Sequence, residues 1–334
     1  MALTITIQHE RFPLAQVFRI SRGAKTAADV IHVSVSDGEH TGFGESVPYG
    51  RYGESIESVT AQLEQVRASI DSLEDHAALP ELLPAGSARN ALDCALWDLT
   101  AKVTGKPVSE LLDLPVTPHC FTAQTISVDT VENMQASARK LKGAPIIKVK
   151  LDPDAVVDKI RAIHEVTPES RLIVDANEGW TIEDLKAVAE PLKACNVVLI
   201  EQPIPAENDD VLEYYECPIP LCADESCHTS AGLDVLRKRY QSINIKLDKT
   251  GGLTEAAALY KAARAMDFSV MVGCMVGTSL AMAPAYLLCD GADFVDLDGP
   301  ILIAQDRENG FCFDNGKMWQ PDTFLWGGVN SQEA

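Results

Sequence analysis

Residues 146–201 contain three short apolar segments, IIKVK at 146–150, LIVD at 172–175 and VVLIE at 197–201. Each is rich in β-branched residues, and a longer segment with helical spacing of its apolar residues separates each from the next. Strands that alternate with helices pair in parallel, because every helix carries the chain back to the same edge of the sheet. We therefore predict an α/β fold with a parallel sheet.

The same alternation extends in both directions from this region. It yields eight predicted strands: Phe121–Thr125, Ile146–Lys150, Leu172–Ala176, Val197–Gln202, Leu221–Asp224, Ile243–Leu247, Ser269–Gly273 and Phe294–Asp298. Eight strand–helix units are the number in a (β/α)₈ barrel. The segment after the eighth strand lacks a helical pattern, so we expect the last helix to be missing or displaced. An open, doubly wound sheet is the alternative architecture.

The first hundred residues have a different pattern, which predicts a separate α+β unit. Strands are predicted at Leu3–Gln8 and Val30–Val35, and helices at 56–70 and 88–103. A length of 334 residues is consistent with two domains.

The composition argues against several classes of function. The chain has 28 Lys and Arg residues against 49 Asp and Glu residues, a formal net charge of −21. Such a surface repels phosphate backbones and anionic lipids, which argues against binding to nucleic acid or to a membrane. The nine cysteines form no CxxC pair, so a structural zinc site is not expected. Neither a secretory signal pattern nor an apolar segment of about 18 residues is present, and we expect a cytoplasmic protein.

Charged residues occur in most of the predicted strands at their C-terminal ends. They are Lys148, Lys150, Asp175, Glu201, Asp224, Lys246, Asp296 and Asp298. Parallel strands of a barrel end at the same mouth, which is where barrel enzymes place their chemistry. We therefore expect these side chains to converge on one site.

Three carboxylates, Asp175, Glu201 and Asp224, lie at the ends of consecutive strands. Converging oxygen ligands suit Mg²⁺, which prefers octahedral oxygen coordination and keeps positions for water and substrate. We predict that these three residues bind one Mg²⁺ ion. Asn177 and Glu225 are alternative or supporting candidates.

Lys150 and Lys246 lie on predicted strands two and six, which face each other across an eight-stranded ring. Opposed lysines can remove a proton from one face of a carbon atom and return one to the other face. A nearby cation and a second lysine would lower the pKa of such a lysine and make it a usable base. Lys148 shares the face of Lys150, and we expect it either to bind a substrate carboxylate or to lower the pKa of Lys150.

Six motifs give the chain a resemblance to the enolase superfamily, in its muconate-lactonizing-enzyme subgroup. They are ARNALDCALWDLTAK at 88–102, KVK at 148–150, VDAN at 174–177, EQP at 201–203, ADES at 223–226 and IKLDKTGG at 245–252. The resemblance covers nearly the whole chain. It implies an N-terminal α+β capping domain at 1–118, a modified (β/α)₇β TIM-like barrel at 119–308, and a C-terminal segment at 309–334 that returns to the capping domain.

Asp296-Leu297-Asp298 resembles the DxD motif with which dipeptide epimerases bind the N-terminal ammonium group of their substrate. Three further segments are similar to those of L-Ala-D/L-Glu epimerases: PYGRYGES at 48–55, ADESCHT at 223–229 and DLDGP at 296–300. The resemblance implies Mg²⁺-dependent epimerisation at the α-carbon of the C-terminal residue of a dipeptide, in murein-peptide metabolism and cell-wall recycling. Alternatives on the same scaffold are muconate cycloisomerisation, o-succinylbenzoate synthesis and N-acylamino-acid racemisation. A metal-binding barrel without catalytic activity is the alternative of another class.

Such an enzyme also needs a cation for the side-chain carboxylate of its substrate. Arg22 is favoured, because a guanidinium group binds a carboxylate at two points; Lys25 is close behind, and Arg19 and Arg51 remain open. The other candidates for the substrate pocket are Thr125, Cys274 and Met275, and more weakly Tyr49 and Tyr52.

Two loops of the first unit, at 19–26 and 47–55, are expected to cover the mouth of the barrel. They should become ordered when substrate binds and so exclude water. Assembly into a homo-oligomer is expected by analogy with the fold alone.

Overall fold

The computed structural model describes residues 3–321 and 324–328. Its N-terminal part is an antiparallel sheet of β1 (Thr4–Ile20), β2 (Gly23–Ser36) and β3 (Thr41–Ser46), in that spatial order. The β1–β2 hairpin is much longer than the two short strands predicted from the sequence. Pairing continues beyond an irregularity in register between Pro13 and Phe18, so the hairpin extends to a turn at residues 21–22.

Four helices complete this unit: α1 (Ile56–Val66), α2 (Leu79–Leu82), α3 (Ser87–Thr104) and α4 (Val108–Leu111). Helix α3 is buried along most of its length and packs against β3. Two glycines of β3 make this close approach possible. A Cβ atom on Gly42 or Gly44 would lie only 2.2 Å or 2.1 Å from a backbone oxygen of α3.

The barrel consists of eight parallel strands, paired in chain order: β5 (Gln124–Ile126), β6 (Ile146–Lys150), β7 (Arg171–Asp175), β8 (Val197–Glu201), β9 (Leu221–Ala223), β10 (Ser242–Ile245), β11 (Ser269–Gly273) and β12 (Phe294–Asp296). The predicted α/β barrel with a separate capping unit is thereby confirmed. A backbone hydrogen bond from Ala123 N to Val295 O (2.8 Å) joins the two ends of the sheet.

The helices of this part are α5 (Val131–Lys140), α6 (Val156–Val166), α7 (Ile182–Lys193), α8 (Leu233–Leu236), α9 (Leu247–Thr250), α10 (Leu253–Ala265), α11 (Ser279–Tyr286) and α12 (Gly299–Leu302). A 3₁₀ segment, Ala206–Tyr214, follows β8. In the described residues after β12, the only α-helix is the single turn of α12, in agreement with the expected loss of the last helix.

The predicted first barrel strand, Phe121–Thr125, is wrong in its boundaries, because it merges parts of two strands. His119–Phe121 forms β4, which pairs antiparallel with β14 (Lys317–Trp319), and β14 in turn pairs with β13 (Phe313–Asp314). The barrel strand β5 begins only at Gln124. Between the two strands, Thr122 Oγ1 accepts a hydrogen bond from Leu297 N (2.8 Å), a contact to the end of β12 that the local sequence pattern does not reveal.

The C-terminal segment contacts the capping unit. Trp326 Nε1 donates to Cys94 O of α3 (3.0 Å), and Gly327 N donates to Asp98 Oδ1 of the same helix (2.7 Å). Residues 322–323 and 329–334 of the predicted segment lie outside the described residues. The domain boundaries at 118 and 308 remain predictions. Within the described ranges, no helix is both long enough and apolar enough to cross a membrane.

Candidate active site

An apolar layer fills the interior of the barrel: Ala123, Ile146, Ile173, Leu199, Cys222 and Met271. Side chains two positions apart on a strand point to the same side, so the next inward position lies one layer nearer the mouth. Four of those positions hold charged residues: Lys148, Asp175, Glu201 and Asp224. All four are buried. Strand geometry therefore places a charged layer directly above an apolar floor.

Each of the three predicted metal ligands lies next to a lysine: Asp175 beside Lys150 (2.5 Å), Glu201 beside Lys148 (2.6 Å) and Asp224 beside Lys246 (2.7 Å). Lys150 ends β6 and Lys246 follows β10, which is four strands away in the ring of eight. Both line the same cavity. The two lysines thus approach one space from opposite sides of the barrel.

The three carboxylates are close enough to influence one another's ionisation. Burial, together with the negative charges of Asp175 and Asp224, raises the pKa of Glu201 to about 8. Burial also opposes ionisation of Asp175, but the charges of Lys150 and Lys148 hold the pKa of Asp175 below its usual range. A divalent cation between these oxygens would relieve the repulsion that Glu201 experiences.

Several oxygen atoms at this mouth are buried without a hydrogen-bond donor from the described part of the chain. They belong to Asn177 (Oδ1), Glu225 (Oε2) and Asp296 (Oδ1). The candidate metal ligands at this mouth all offer oxygen atoms, which is the ligand type that Mg²⁺ prefers. Among residues 3–321 and 324–328, no group of three or more Asp, Glu, His or Cys side chains has an arrangement that could hold a metal ion. The same carboxylates form ion pairs with Lys148, Lys150 and Lys246.

The protein's own carboxylates around Lys246 act against the expected lowering of its pKa. Burial lowers the pKa of Lys246, but the carboxylates of Asp224 and Glu201 outweigh it and raise that pKa above its ordinary range. The pKa of Lys148 is raised for the same reason, chiefly by Asp296 and Glu201. The expectation depended on a cation, whose charge would compete for these carboxylates.

The acidic pair at the end of β12 adjoins this layer. Asp298 Oδ2 accepts a hydrogen bond from Thr125 N (2.7 Å), and Asp296 Oδ2 lies 2.6 Å from Lys148 Nζ. Burial and the charge of Asp296 raise the pKa of Asp298 to about 7. A positively charged substrate group placed beside this pair would find a buried negative site that Lys148 only partly neutralises.

A cavity of about 400 Å³ lies between this layer and the capping unit. Of the predicted pocket residues, Arg22, Lys25, Tyr49, Arg51, Cys274 and Met275 line it. Its described lining does not include the predicted substrate ligands Lys148, Asp296 and Asp298, or the weaker candidates Thr125, Arg19 and Tyr52. Thr125 instead supports Asp298 through its backbone, and the ring of Tyr52 packs edge-on against His228, with centroids 4.6 Å apart.

Sequence reasoning did not single out Phe18 and Ile20 of β1, which form part of the apolar wall together with Val47 and Val276. Phe18 and Ile20 alternate with Arg19, which places them on one face of the strand. That alternation was visible in the sequence, but β1 was predicted to end at Gln8.

The two cations proposed for a substrate carboxylate have different surroundings. Arg22 donates from Nη1 to Asn177 O (2.7 Å) and Glu178 Oε2 (2.9 Å), and from Nη2 to Glu225 Oε1 (2.7 Å). Lys25 forms no ion pair with any residue that the structure describes, and its Nζ lies 5.4 Å from the centre of the Tyr49 ring. Partial burial lowers the pKa of Lys25. Because Lys25 has no ion-pair partner among the described residues and Arg22 has two, Lys25 is the cation whose charge is free to bind a substrate carboxylate.

A buried acid that the sequence reasoning did not single out anchors the segment after Lys246. Asp248 Oδ1 accepts hydrogen bonds from Val47 N (2.9 Å) and from Asn90 Nδ2 (2.9 Å). Asn90 lies on α3, and Val47 begins the second cap loop. Burial raises the pKa of Asp248 to about 7. The sequence could have indicated this contact, since Asn90 and Asp248 lie within the quoted motifs at 88–102 and 245–252.

Two family models match the chain, one over each part. Residues 2–113 match the mandelate racemase / muconate lactonizing enzyme N-terminal domain, and residues 127–323 match the enolase C-terminal domain-like family.

Curated relatives match over almost the whole length. An N-acetyl-D-glutamate racemase of Pseudoalteromonas sp. is 49% identical over 307 residues, which cover 91% of this chain and 97% of the relative. An L-Ala-D/L-Glu epimerase of Escherichia coli (strain K12) is 44% identical over 317 residues, which cover 94% and 99%.

Solved structures agree with the fold throughout. An enolase family member from Agrobacterium tumefaciens with homology to dipeptide epimerases, with bound sodium and L-Ala-L-Glu, has a TM-score of 0.94 at 43% identity and covers 97% of this chain and 100% of its own. A dipeptide epimerase from Methylococcus capsulatus, complexed with Mg and L-Arg-D-Lys, has a TM-score of 0.89 at 29% identity and covers 98% and 99%.

Proposed function

The chain belongs to the mandelate racemase / muconate lactonizing enzyme family of the enolase superfamily, and on that premise we propose that it is a Mg²⁺-dependent dipeptide epimerase. The reaction is a 1,1-proton transfer at the α-carbon of the C-terminal residue, and L-Ala-Glu is the first proposed substrate. The observation that carries this proposal is the placement of Lys150 and Lys246 on opposite sides of one cavity, beside buried carboxylates.

Asp175, Glu201 and Asp224 are the proposed Mg²⁺ ligands. When bound there, Mg²⁺ would withdraw charge from the substrate's α-carboxylate and so acidify the α-proton. The unpartnered oxygens of Asn177 and Glu225 support a cation at this place.

The two lysines are proposed to exchange roles with the direction of the reaction. The lysine on the face of the α-proton accepts that proton as a neutral amine. The lysine on the opposite face, as an ammonium group, donates a proton to the same carbon. One proton is taken and one is given, so the substrate leaves with inverted configuration and no net change in composition. Lys148 is proposed to bind the α-carboxylate or to adjust the pKa of Lys150.

The remaining substrate contacts follow from the charges around the cavity. We propose that Lys25 binds the γ-carboxylate of the glutamate residue, because the donors of Arg22 are already occupied by protein oxygens. Asp296 and Asp298 are proposed to bind the ammonium group of the alanine residue. Cys274 and Met275 contribute to the wall of the cavity.

Racemisation of N-acetylglutamate is the second candidate, and the relative at 49% identity favours it. L-Ala-Glu and N-acetylglutamate are both N-acylated glutamates, so the α-carbon and both glutamate carboxylates are common to them. Only the dipeptide has an ammonium group on its acyl part. Asp296 and Asp298 are therefore the residues at which the two substrates should be distinguished.

Asp298→Asn tests this assignment when kcat/KM is measured for L-Ala-L-Glu and for N-acetyl-D-glutamate. Loss of one charged hydrogen bond costs about 1.5–3 kcal/mol, so kcat/KM for the dipeptide should fall roughly 10- to 100-fold. The value for N-acetylglutamate should change little. An equal loss for both substrates would contradict the ammonium assignment. A wild-type enzyme that prefers N-acetylglutamate would establish the second candidate in place of the first.

We further propose a cytoplasmic location, a role in murein-peptide recycling, and assembly into a homo-oligomer. The nine cysteines are all free thiols, which suits a reducing compartment. Oligomerisation rests on analogy with the fold, and mass photometry of the purified protein would test it.

A further inference from the structure

Two arginines of the cap loops meet one carboxylate of the barrel above the cavity. Arg22 lies in the turn between β1 and β2, Arg51 lies in a 3₁₀ turn of the second loop, and Glu178 follows β7. We propose that Glu178 is a positioning residue that joins the two loops, so that they cover the cavity as one unit. The kinetic part of its test rests on the proposed function; the structural part does not.

The contacts show how one side chain serves both loops. Arg51 donates from Nε to Glu178 Oε2 (2.7 Å) and from Nη2 to Glu178 Oε1 (2.8 Å). Arg22 donates from Nη1 to the same Oε2 (2.9 Å). Two guanidinium groups this close would repel each other without an anion between them. The shared carboxylate therefore makes closure of one loop favourable for the other.

Glu178 is itself held firmly. Its φ is 65° and that of Asn177 is 46°, a left-handed conformation that residues with a side chain rarely adopt. Glu178 N donates to Gln202 O (2.8 Å), and Ala206 N donates to Glu178 Oε1 (2.9 Å). The surrounding loops thus fix both the backbone and the side chain in a costly arrangement, as expected for a residue with a specific task.

The joined loops determine where the wall of the cavity stands. Arg22 Nη2 donates to Tyr49 OH (2.8 Å), and Lys25 Nζ lies over the Tyr49 ring. A change at Glu178 would shift Tyr49 and Lys25, although Glu178 itself is not among the residues that line the cavity. Its effect on catalysis is therefore indirect.

Glu207 provides a matched control. It accepts from the same Arg51 Nη2 at 2.8 Å, but its side chain is 65% exposed, whereas that of Glu178 is 7% exposed. An exposed ion pair contributes little, while removal of one member of a buried pair leaves a charge without compensation. Glu178→Gln and Glu207→Gln thus remove the same charge from the same arginine in two different environments.

The experiment compares the full-length wild-type protein, Glu178→Gln, Glu178→Asp and Glu207→Gln. Hydrogen–deuterium exchange of the loops at 19–26 and 47–55 is measured without substrate. KM and kcat for L-Ala-L-Glu are then measured with Mg²⁺. Glu178→Gln should accelerate exchange in both loops and raise KM about tenfold, with a smaller change in kcat, because a charged contact is lost and binding is weakened. Glu178→Asp should recover part of the loss, and Glu207→Gln should match the wild type.

Faster exchange in only one loop, or equal effects of Glu178→Gln and Glu207→Gln, would overturn the proposal. If Glu178→Gln does not fold, a double-mutant cycle of Arg22→Gln and Arg51→Gln replaces it. A shared carboxylate predicts that their effects on loop exchange are not additive, and additivity would overturn the proposal. If loop exchange responds as expected but L-Ala-L-Glu is not turned over, the proposed substrate fails and the joining of the loops stands.

Discussion

The mouth of the barrel and the cap loops both contribute charges to one cavity, but they place them in different ways. At the mouth, strand alternation sets Lys148, Asp175 and Glu201 one layer above an apolar floor. In the cap, ion pairs across the two units hold Arg22 and Arg51 in position. On the proposed function, a change at the mouth should alter the reacting groups, and a change in the cap should alter which substrate fits. We therefore expect chemistry and specificity to be separable by mutation.

The largest effect is expected when the metal is removed from the mouth. Dialysis against EDTA should lower the epimerisation rate by roughly 10³-fold or more, because a bound metal ion contributes several kcal/mol to charge stabilisation in the transition state. Addition of Mg²⁺ should restore the rate. Mg²⁺ should also raise the Tm of the wild-type protein, since it binds the folded state.

Glu201→Gln is the variant that tests the mouth in this experiment. It keeps the shape of the side chain but removes the carboxylate whose ionisation is disfavoured by the charges of Asp175 and Asp224. The variant should lose the increase of Tm on addition of Mg²⁺ as well as the activity. A full Mg²⁺-dependent shift in Tm in this variant would argue against Glu201 as a ligand.

An intermediate effect is expected in the cap, at Lys25. Lys25→Met should lower kcat/KM for L-Ala-L-Glu roughly 10- to 100-fold, because a charged hydrogen bond to the γ-carboxylate contributes about 1.5–3 kcal/mol. The rate for L-Ala-L-Leu, which has no side-chain carboxylate, should not fall. Steady-state kinetics on both dipeptides would measure the difference. A parallel loss on both dipeptides would mean that Lys25 supports the loop and does not recognise the substrate.

The smallest effect is expected at Asp248, where the two units meet. Its pKa in the folded state is about 7, raised by burial above the ordinary value of 3.8. The folded state therefore retains a proton that the unfolded state releases. The contribution of Asp248 to stability is fully present below about pH 4 and is lost as the pH rises through about 7.

Asp248→Asn should keep the acceptor for Val47 N and Asn90 and remove this pH dependence. Urea unfolding between pH 5 and pH 8 should show a smaller decline in the free energy of unfolding than in the wild type, by on the order of 1 kcal/mol. Asp234→Asn, at an exposed position, is the control and should follow the wild type. Identical pH profiles for Asp248→Asn and the wild type would show that the folded protein does not retain that proton.

The sequence was sufficient to predict the barrel and the positions of the charged groups at its mouth. Those groups lie on short, regular strands, where alternation and the common direction of parallel strands determine which side chains meet. The positions of Asp175, Glu201 and Lys246 follow from that geometry. The states of charge of these residues could not be predicted in this way, since the pKa of Lys246 depends on which anions and cations surround it in three dimensions.

The cap could be predicted less well, for a physical reason. The length of the β1–β2 hairpin depends on pairing that continues past an irregular register, which no local pattern reveals. The preference for Arg22 over Lys25 relied on the geometry of an isolated guanidinium group. It could not include Glu178 and Glu225, which are 156 and 203 residues away in the chain and occupy its donors.

Lys150 and Lys246 are proposed to act on opposite faces of one α-carbon. The most direct measurement is proton NMR of L-Ala-L-Glu and, separately, L-Ala-D-Glu in D₂O with Mg²⁺, using the wild type, Lys150→Met and Lys246→Met. The wild type should exchange the glutamate α-proton of both diastereomers and interconvert them. Each variant should exchange the α-proton of only one diastereomer, a different one for each variant, and should interconvert neither. If both variants exchanged the same diastereomer, or if either still interconverted them at the wild-type rate, the two-lysine account would be contradicted.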